Sequence, residues 1–169
     1  MIRKADILKN IQELDNLYNS TRNSKKARFF SKLTILESCG WIEETMDEIL
    51  KKFCKGKIFT PKNEKFFESK IVKTTSGFEY ETYFRRKMLL PLIGLINVER
   101  IEHKINSLKF TKMVAALSRL HEQRCSHAHT HITGTTSTID APSVTKTLLI
   151  DVYEGLKEYE KELKKIKFR

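Results

Sequence analysis

Between residues 28 and 52 the apolar side chains Ile35, Cys39, Ile42, Met46 and Ile49 recur at intervals of three and four, and Phe53 continues the row. That interval is the turn of an α-helix, while Glu37, Glu44 and Glu48 stand off the row and keep the other face polar. A stripe this long cannot be shielded by its own helix, so the chain has to supply partners for it. It does: Ile7, Leu8, Ile11, Leu14, Leu17 and Tyr18 form a second stripe over 5 to 19, closed by the polar run from Asn19 to Ser24. Val144, Leu148, Val152, Leu156, Tyr159, Leu163 and Ile166 form a third, with Ser143 as its expected cap. No internal repeat and no strand-like alternation competes with this pattern. The expected class is all-α.

The intervening chain is expected to add shorter helices. Thr60-Pro61 reads as a cap and first helical position, giving a helix over roughly 61 to 71 within a basic, loosely patterned stretch. We read 55 to 78 as an insertion between core helices, a solvated connector or a surface that touches RNA. Tyr83, Phe84, Met88 and Leu89 mark a helix over 79 to 90, with Arg85, Arg86 and Lys87 exposed. Pro91 should kink or restart it before the pattern continues through Leu95 and Ile96 to about Ile105. Asn106-Ser107 reads as the next helix start, followed by Phe110, Val114, Leu117 and Leu120. Gly40, inside the strongest helix, is expected to permit a close backbone approach beside Trp41.

A chain of 169 residues with 40% hydrophobic and 31% charged residues suits a single domain with a proper core, with 1 to 27 as an N-terminal helix and loop. No run approaches the ~18 apolar residues of a membrane span, and the first residues lack a signal peptide's pattern, so the expected location is cytoplasmic with no membrane partner. Three cysteines, Cys39, Cys54 and Cys125, suit a reducing compartment better than a disulfide framework. A net charge of +11 admits a polyanionic partner: RNA, DNA or an acidic protein. The lysine-rich surface is equally what a solvated exterior requires.

The chemistry concentrates at 117 to 131, where four of the five histidines lie with Arg119 and Arg124. Histidine can take up and release a proton near neutrality, and arginine's planar fork matches phosphate oxygens. Arg124-Cys125-Ser126-His127-Ala128-His129 resembles the R-x4-H signature of the HEPN superfamily (higher eukaryotes and prokaryotes nucleotide-binding domains), with its Ala-His ending and its Leu117/Leu120 approach. The resemblance extends over roughly 28 to 165. It implies an up-and-down bundle of four to five core helices and a homodimeric, metal-independent endoribonuclease without cofactor, often a toxin or antiviral effector. Its partners would be RNA and an antitoxin or sensor protein. It assigns Arg124 to the scissile phosphate and His129 to proton transfer. The segment from Glu37 to Glu44 is similar to the family's first core helix, where an acidic residue stands near the site, making Glu37 and Glu43 candidates.

Geometry leaves alternatives open. Positions five apart on a straight helix point about 140° from each other, so Arg124 and His129 share a face only if the helix bends, ends between them, or the site spans a dimer. His131 is the reserve histidine, and His127 a neighbour in regular helical register with Arg124. Two departures from the family pattern stand out. Cys125 follows the arginine where a hydrogen-bonding Asn, Asp or His is usual, and His131 occupies the position of a modifiable tyrosine. A zinc site from His127, His129 and His131, or from His121, Cys125 and His129, is a rival reading, and a Cys125–His129 nucleophile pair a weaker one. A catalytically idle domain that binds RNA, nucleotide or a partner protein is the alternative function.

Overall fold

The computed structural model describes residues 2–72, 77–128, 132 and 138–166. Among them there are six α-helices and no strand, so the chain is all-α: α1 Ala5–Ser20, α2 Ser24–Cys54, α3 Pro61–Phe66, α4 Leu90–Lys104, α5 Ser107–Ala128 and α6 Pro142–Leu163. No described helix is long and apolar enough to cross a membrane. Two π-helical stretches extend this set, Phe67–Val72 after α3 and Tyr80–Leu89 before α4.

The helix α2 is the spine. Asn23 starts it, its side chain accepting hydrogen bonds from the Lys25 and Lys26 amides at 3.0 and 3.1 Å. The expected stripe from Ile35 to Phe53 is buried throughout. A second strip of small polar residues, Ser31, Thr34, Ser38 and Thr45, is buried as well, because α2 packs against three helices, α1, α5 and α6. Burying a hydroxyl requires a partner, and the helix backbone provides it: Thr34 donates to the Phe30 carbonyl at 2.8 Å and Ser38 to the Thr34 carbonyl at 2.7 Å.

Several expectations need correcting. Gly40 is exposed, and a Cβ there would meet open space, so no close approach explains it. The tight contact belongs to Gly155, where α6 crosses α5 against Met113. The 55 to 78 stretch is not simply a solvated connector, because Phe67, Ile71, Val72 and Phe78 all enter the core. Pro91 lies in the first turn of α4, where the helix restarts with α winding directly after the π-helical Tyr80–Leu89. A sharper break that the sequence reading did not place comes at Gly94, whose φ of 73° an L-residue rarely adopts. That break turns Leu95 and Ile96 to solvent and leaves Ile93, Val98 and Ile101 as the buried positions. Ser143 does not cap α6, which begins at Pro142 after Ala141. The α6 stripe enters through Thr145 and Leu149 rather than Val144 and Leu148.

The π-helical winding before α4 explains which aromatics reach the core. Its bonds span five residues, as from the Phe84 amide to the Glu79 carbonyl at 3.2 Å. The wider turn buries Tyr80, Phe84 and Met88 on one side and leaves Tyr83 half-buried on another. Tyr80 then joins a buried polar chain: its hydroxyl donates to Glu102 and lies 2.5 Å from the Tyr159 hydroxyl, while Arg85 Nε donates to Glu102 at 2.8 Å. Burial, above all, holds both phenols protonated well beyond the usual tyrosine range. Arg85 is thus half-buried and paired, not freely exposed.

Candidate active site

Leu117 and Leu120 are fully buried and fix the rotation of α5, so the following turns can be assigned to faces. Arg124 points toward α2, and its Nη1 donates to Glu43 Oε1 at 2.5 Å. The pair is half-buried, with 31% and 26% of the two side chains exposed. The guanidinium carbon lies 5.8 Å from the centroid of the buried Phe78 ring. No other hydrogen bond engages the guanidinium among the described residues, so Nε and Nη2 remain as unspent donors. Of the two carboxylate candidates, Glu43 therefore meets Arg124, while Glu37 is exposed on α2.

One turn before Arg124, His121 rests edge-on against Phe78 at 5.8 Å and beside Tyr83 at 6.0 Å. Its Nε2 lies 3.6 Å from Cys125 Sγ, and its Nδ1 is buried without a hydrogen-bond partner among the described residues. The thiol that follows the arginine therefore contacts the histidine four residues before it. Lys87 Nζ stands 4.4 Å over the Tyr83 ring and closes this side of the cluster.

His127 lies elsewhere. It is 7% exposed, and the charges that act on it are Lys32 and Asp140, whereas those acting on Arg124 are Glu43, Cys39 and Cys125. Burial first, and Lys32 second, hold its imidazole below the ordinary histidine range, with Asp140 opposing. Asp140 is itself tied to α5: Arg119 donates to its Oδ2 from Nε at 3.1 Å and Nη2 at 2.7 Å, and Gln123 donates to the same oxygen. The two arginines of the motif are thus divided. Arg119 secures the approach to α6, and Arg124 faces α2. His129 and His131 lie outside the described residues, the last described position of α5 being Ala128.

Sequence reasoning missed Phe78, which the guanidinium faces, and Asp47, whose charge interacts with that of Glu43. Asp47 stands one turn beyond Glu43 on α2, and burial, first of all, raises its carboxyl to about 6, with Glu43 and Glu44 adding to the rise and Lys51 opposing it. Its i+4 spacing from Glu43 was the available signal. Phe78 gave none, since it closes the 55 to 78 stretch read as an insertion between core helices. Cys39 is inert: burial pushes its thiol up to about 12, and its Sγ donates to the Leu120 carbonyl at 3.8 Å.

Each zinc triplet considered from the sequence includes a residue outside the described set. Among the described residues no group of three or more His, Cys, Asp or Glu side chains could hold a metal ion. Two clefts of about 640 and 600 Å³ lie away from α5, one beside Trp41 and Arg3 and the other around the α2 C-terminus at Phe53 and Phe59. No family model, no curated protein and no solved structure matches the chain.

Proposed function

We propose that the chain is a metal-independent endoribonuclease of the HEPN type, cleaving RNA at a site shared across a homodimer and serving as a toxin or antiviral effector. The observation that carries this reading is the Arg124–Glu43 pair. A carboxylate from α2 holds the guanidinium against the Phe78 ring and leaves two of its donor positions free. An arginine oriented in this way is suited to a phosphate, because its donors need no reorganisation when charge develops. The reaction follows from RNA itself. The ribose 2′-oxygen attacks the adjacent phosphorus, its proton passes to a base, and the departing 5′-oxygen receives a proton from an acid. The products are a 2′,3′-cyclic phosphate and a 5′-hydroxyl. Arg124 faces the developing phosphorane charge and His129 transfers the proton, with His131 in reserve. One copy supplies a single such pair, and a two-fold partner supplies the second.

The test is incubation of RNA with wild type, Arg124→Ala and His129→Ala, each with and without EDTA. Cleavage that survives EDTA and falls at least about 100-fold in both variants is expected. EDTA-sensitive cleavage, or full activity in either variant, refutes the assignment. Light scattering that finds only monomer in a fully active sample refutes the shared site. One observation favours a second reading, a catalytically idle domain that binds RNA or a partner. Cys125 lies against His121, so the position that should support a catalytic histidine is occupied by a weakly bonding thiol turned back along its own helix. Salt-sensitive RNA binding without any cleavage would establish that reading.

A further inference from the structure

The cleft at the α2 C-terminus combines an apolar floor with a strongly basic surround. Phe53, Ile58, Leu92 and Ile166 line it, and Phe59 stands at its edge 82% exposed. It shares Cys54, Gly56 and Ile58 with a second hollow of about 390 Å³ toward α3, so the two form one continuous depression around the 54 to 58 turn. The turn is closed by the Lys57 amide donating to the Cys54 carbonyl at 2.9 Å, which fixes Ile58 and Phe59 against the end of α2. An exposed phenylalanine at the mouth of an apolar hollow leaves area whose burial is favourable.

Residues 51 to 65 carry six lysines and one glutamate, a net +5 of the chain's +11. Lys55, Lys62 and Lys65 are exposed and make no ion pair among the described residues. Lys57 places its Nζ 3.6 Å over the Phe53 ring, so cationic and apolar contacts adjoin on the cleft wall. Glu64 and Glu68 lie at the α3 end and only partly offset this excess.

We propose that this depression binds an acidic amphipathic segment of a partner protein, with apolar side chains seated between Phe59 and Leu92 and carboxylates set against Lys55, Lys57 and Lys62. The cleft volume lies within the usual range for concave binding sites, roughly 300–1,000 Å³, and its floor is mainly aliphatic. A single-stranded nucleic acid would need open aromatic faces for its bases. Phe59 offers one, while Lys57 already covers the face of Phe53. Phe53 follows Glu43 by ten positions, ~15 Å along α2. The surface is therefore distinct from the Arg124 cluster and does not depend on what that cluster does.

The experiment is selection of a random 16-residue displayed peptide library on the immobilised full chain, repeated on Phe59→Ser and on Lys55→Glu/Lys57→Glu. A control carries Lys25→Glu/Lys26→Glu at the far end of α2. All of these positions are exposed, and unchanged circular dichroism verifies folding. Peptides rich in Glu or Asp with interspersed Phe, Leu or Trp are expected from wild type and control, with recovery at least tenfold lower on both cleft variants. No enrichment, enrichment without acidic residues, or equal recovery on the cleft variants overturns the proposal. A 20-nucleotide poly(A) RNA or an anionic phosphatidylglycerol vesicle whose binding falls tenfold with Phe59→Ser while peptide recovery does not would assign the surface to that ligand instead.

Discussion

The same substitution at two helical glycines should move stability in opposite directions. At Gly40 a new Cβ meets nothing within 4 Å, so Gly40→Ala changes only backbone freedom and should stabilise the fold by about 0.5–1 kcal/mol. At Gly155 the same Cβ would fall 2.5 Å from Met113 Sδ and 2.7 Å from Cγ, and closer still to the Met113 Cβ. Ordinary contact between such atoms is about 3.5–4.0 Å. Rotating the methionine can relieve the sulfur but not its Cβ, which moves only with α5 itself. Overpacking of this kind costs about 1–3 kcal/mol, against the roughly 1 kcal/mol gained in helix propensity. Gly155→Ala should therefore be destabilised by about 1 kcal/mol, and Gly155→Val, without the propensity gain, by more. Urea denaturation followed by circular dichroism measures both. For a chain this long each kcal/mol corresponds to about 2–4 °C in Tm. A double-mutant cycle supplies the discriminating control: Met113→Ala removes the Cγ and Sδ contacts, though not the Cβ one, and the new Cβ of Gly155→Ala fills part of the cavity left behind, so the loss in the double variant should be smaller than the sum of the two single losses. Strict additivity, or stabilisation by both glycine substitutions, would refute the proposed contact between α5 and α6.

Two titrations test the electrostatics around the site. The folded-state carboxyl of Asp47 is raised to about 6, so protonation favours the native state; that stability is complete below the unfolded value near 4 and is lost as pH rises through 6. Asp47→Asn should therefore raise Tm at pH 7.5 and lose that advantage between pH 6 and 4, and a pH-independent difference would be the wrong result. The His127 imidazole is depressed, so the native state favours its neutral form, and that contribution is lost as pH falls through the folded value. Proton NMR should find the His127 titration moved further down by Asp140→Asn and upward by Lys32→Gln; identical curves would remove both neighbours from the account.

The all-α class was legible because Ile35 to Phe53 repeat at one interval over five turns, and burial follows that interval without exception. What could not be read was any feature set by how helices meet. Ser31, Thr34 and Ser38 look like a polar flank until three neighbours surround α2. Gly40 and Gly155 are alike in sequence, and only the α5–α6 crossing separates a free position from a filled one. The widened turn before α4 has no signature in a pattern tuned to 3.6 residues per turn, so Tyr83 was placed on the stripe that Tyr80 occupies. Arg124 and Glu43 were each visible as candidates because their residue types carry chemistry. Their pairing was not visible, since 81 positions separate them and Glu37 had an equal claim. Phe78 and Asp47 were hidden for opposite reasons, one at the end of the expected insertion and the other among the carboxylates on the polar side of α2.

The Arg124–Glu43 pair also bears on what the charge of this chain can do. A guanidinium already bonded to a carboxylate offers little net charge for long-range attraction, because the two nearly cancel beyond a few ångströms. What Arg124 retains is direction: a planar fork held by Glu43 and Phe78, with unspent donors that match phosphate oxygens. Attraction of a polyanion would fall to exposed lysines that make no ion pair among the described residues, and Lys55, Lys62 and Lys65 stand at the far end of α2 around an apolar cleft. The chain thus separates the two uses of positive charge. A neutralised, oriented cation stands where precise contact with a phosphate would matter, and a lysine-rich cluster only partly offset by carboxylates stands where capture of an acidic partner would matter. Because about ten residues of rigid helix separate them, loss of one should leave the other intact, so the nuclease and docking assays report on independent surfaces.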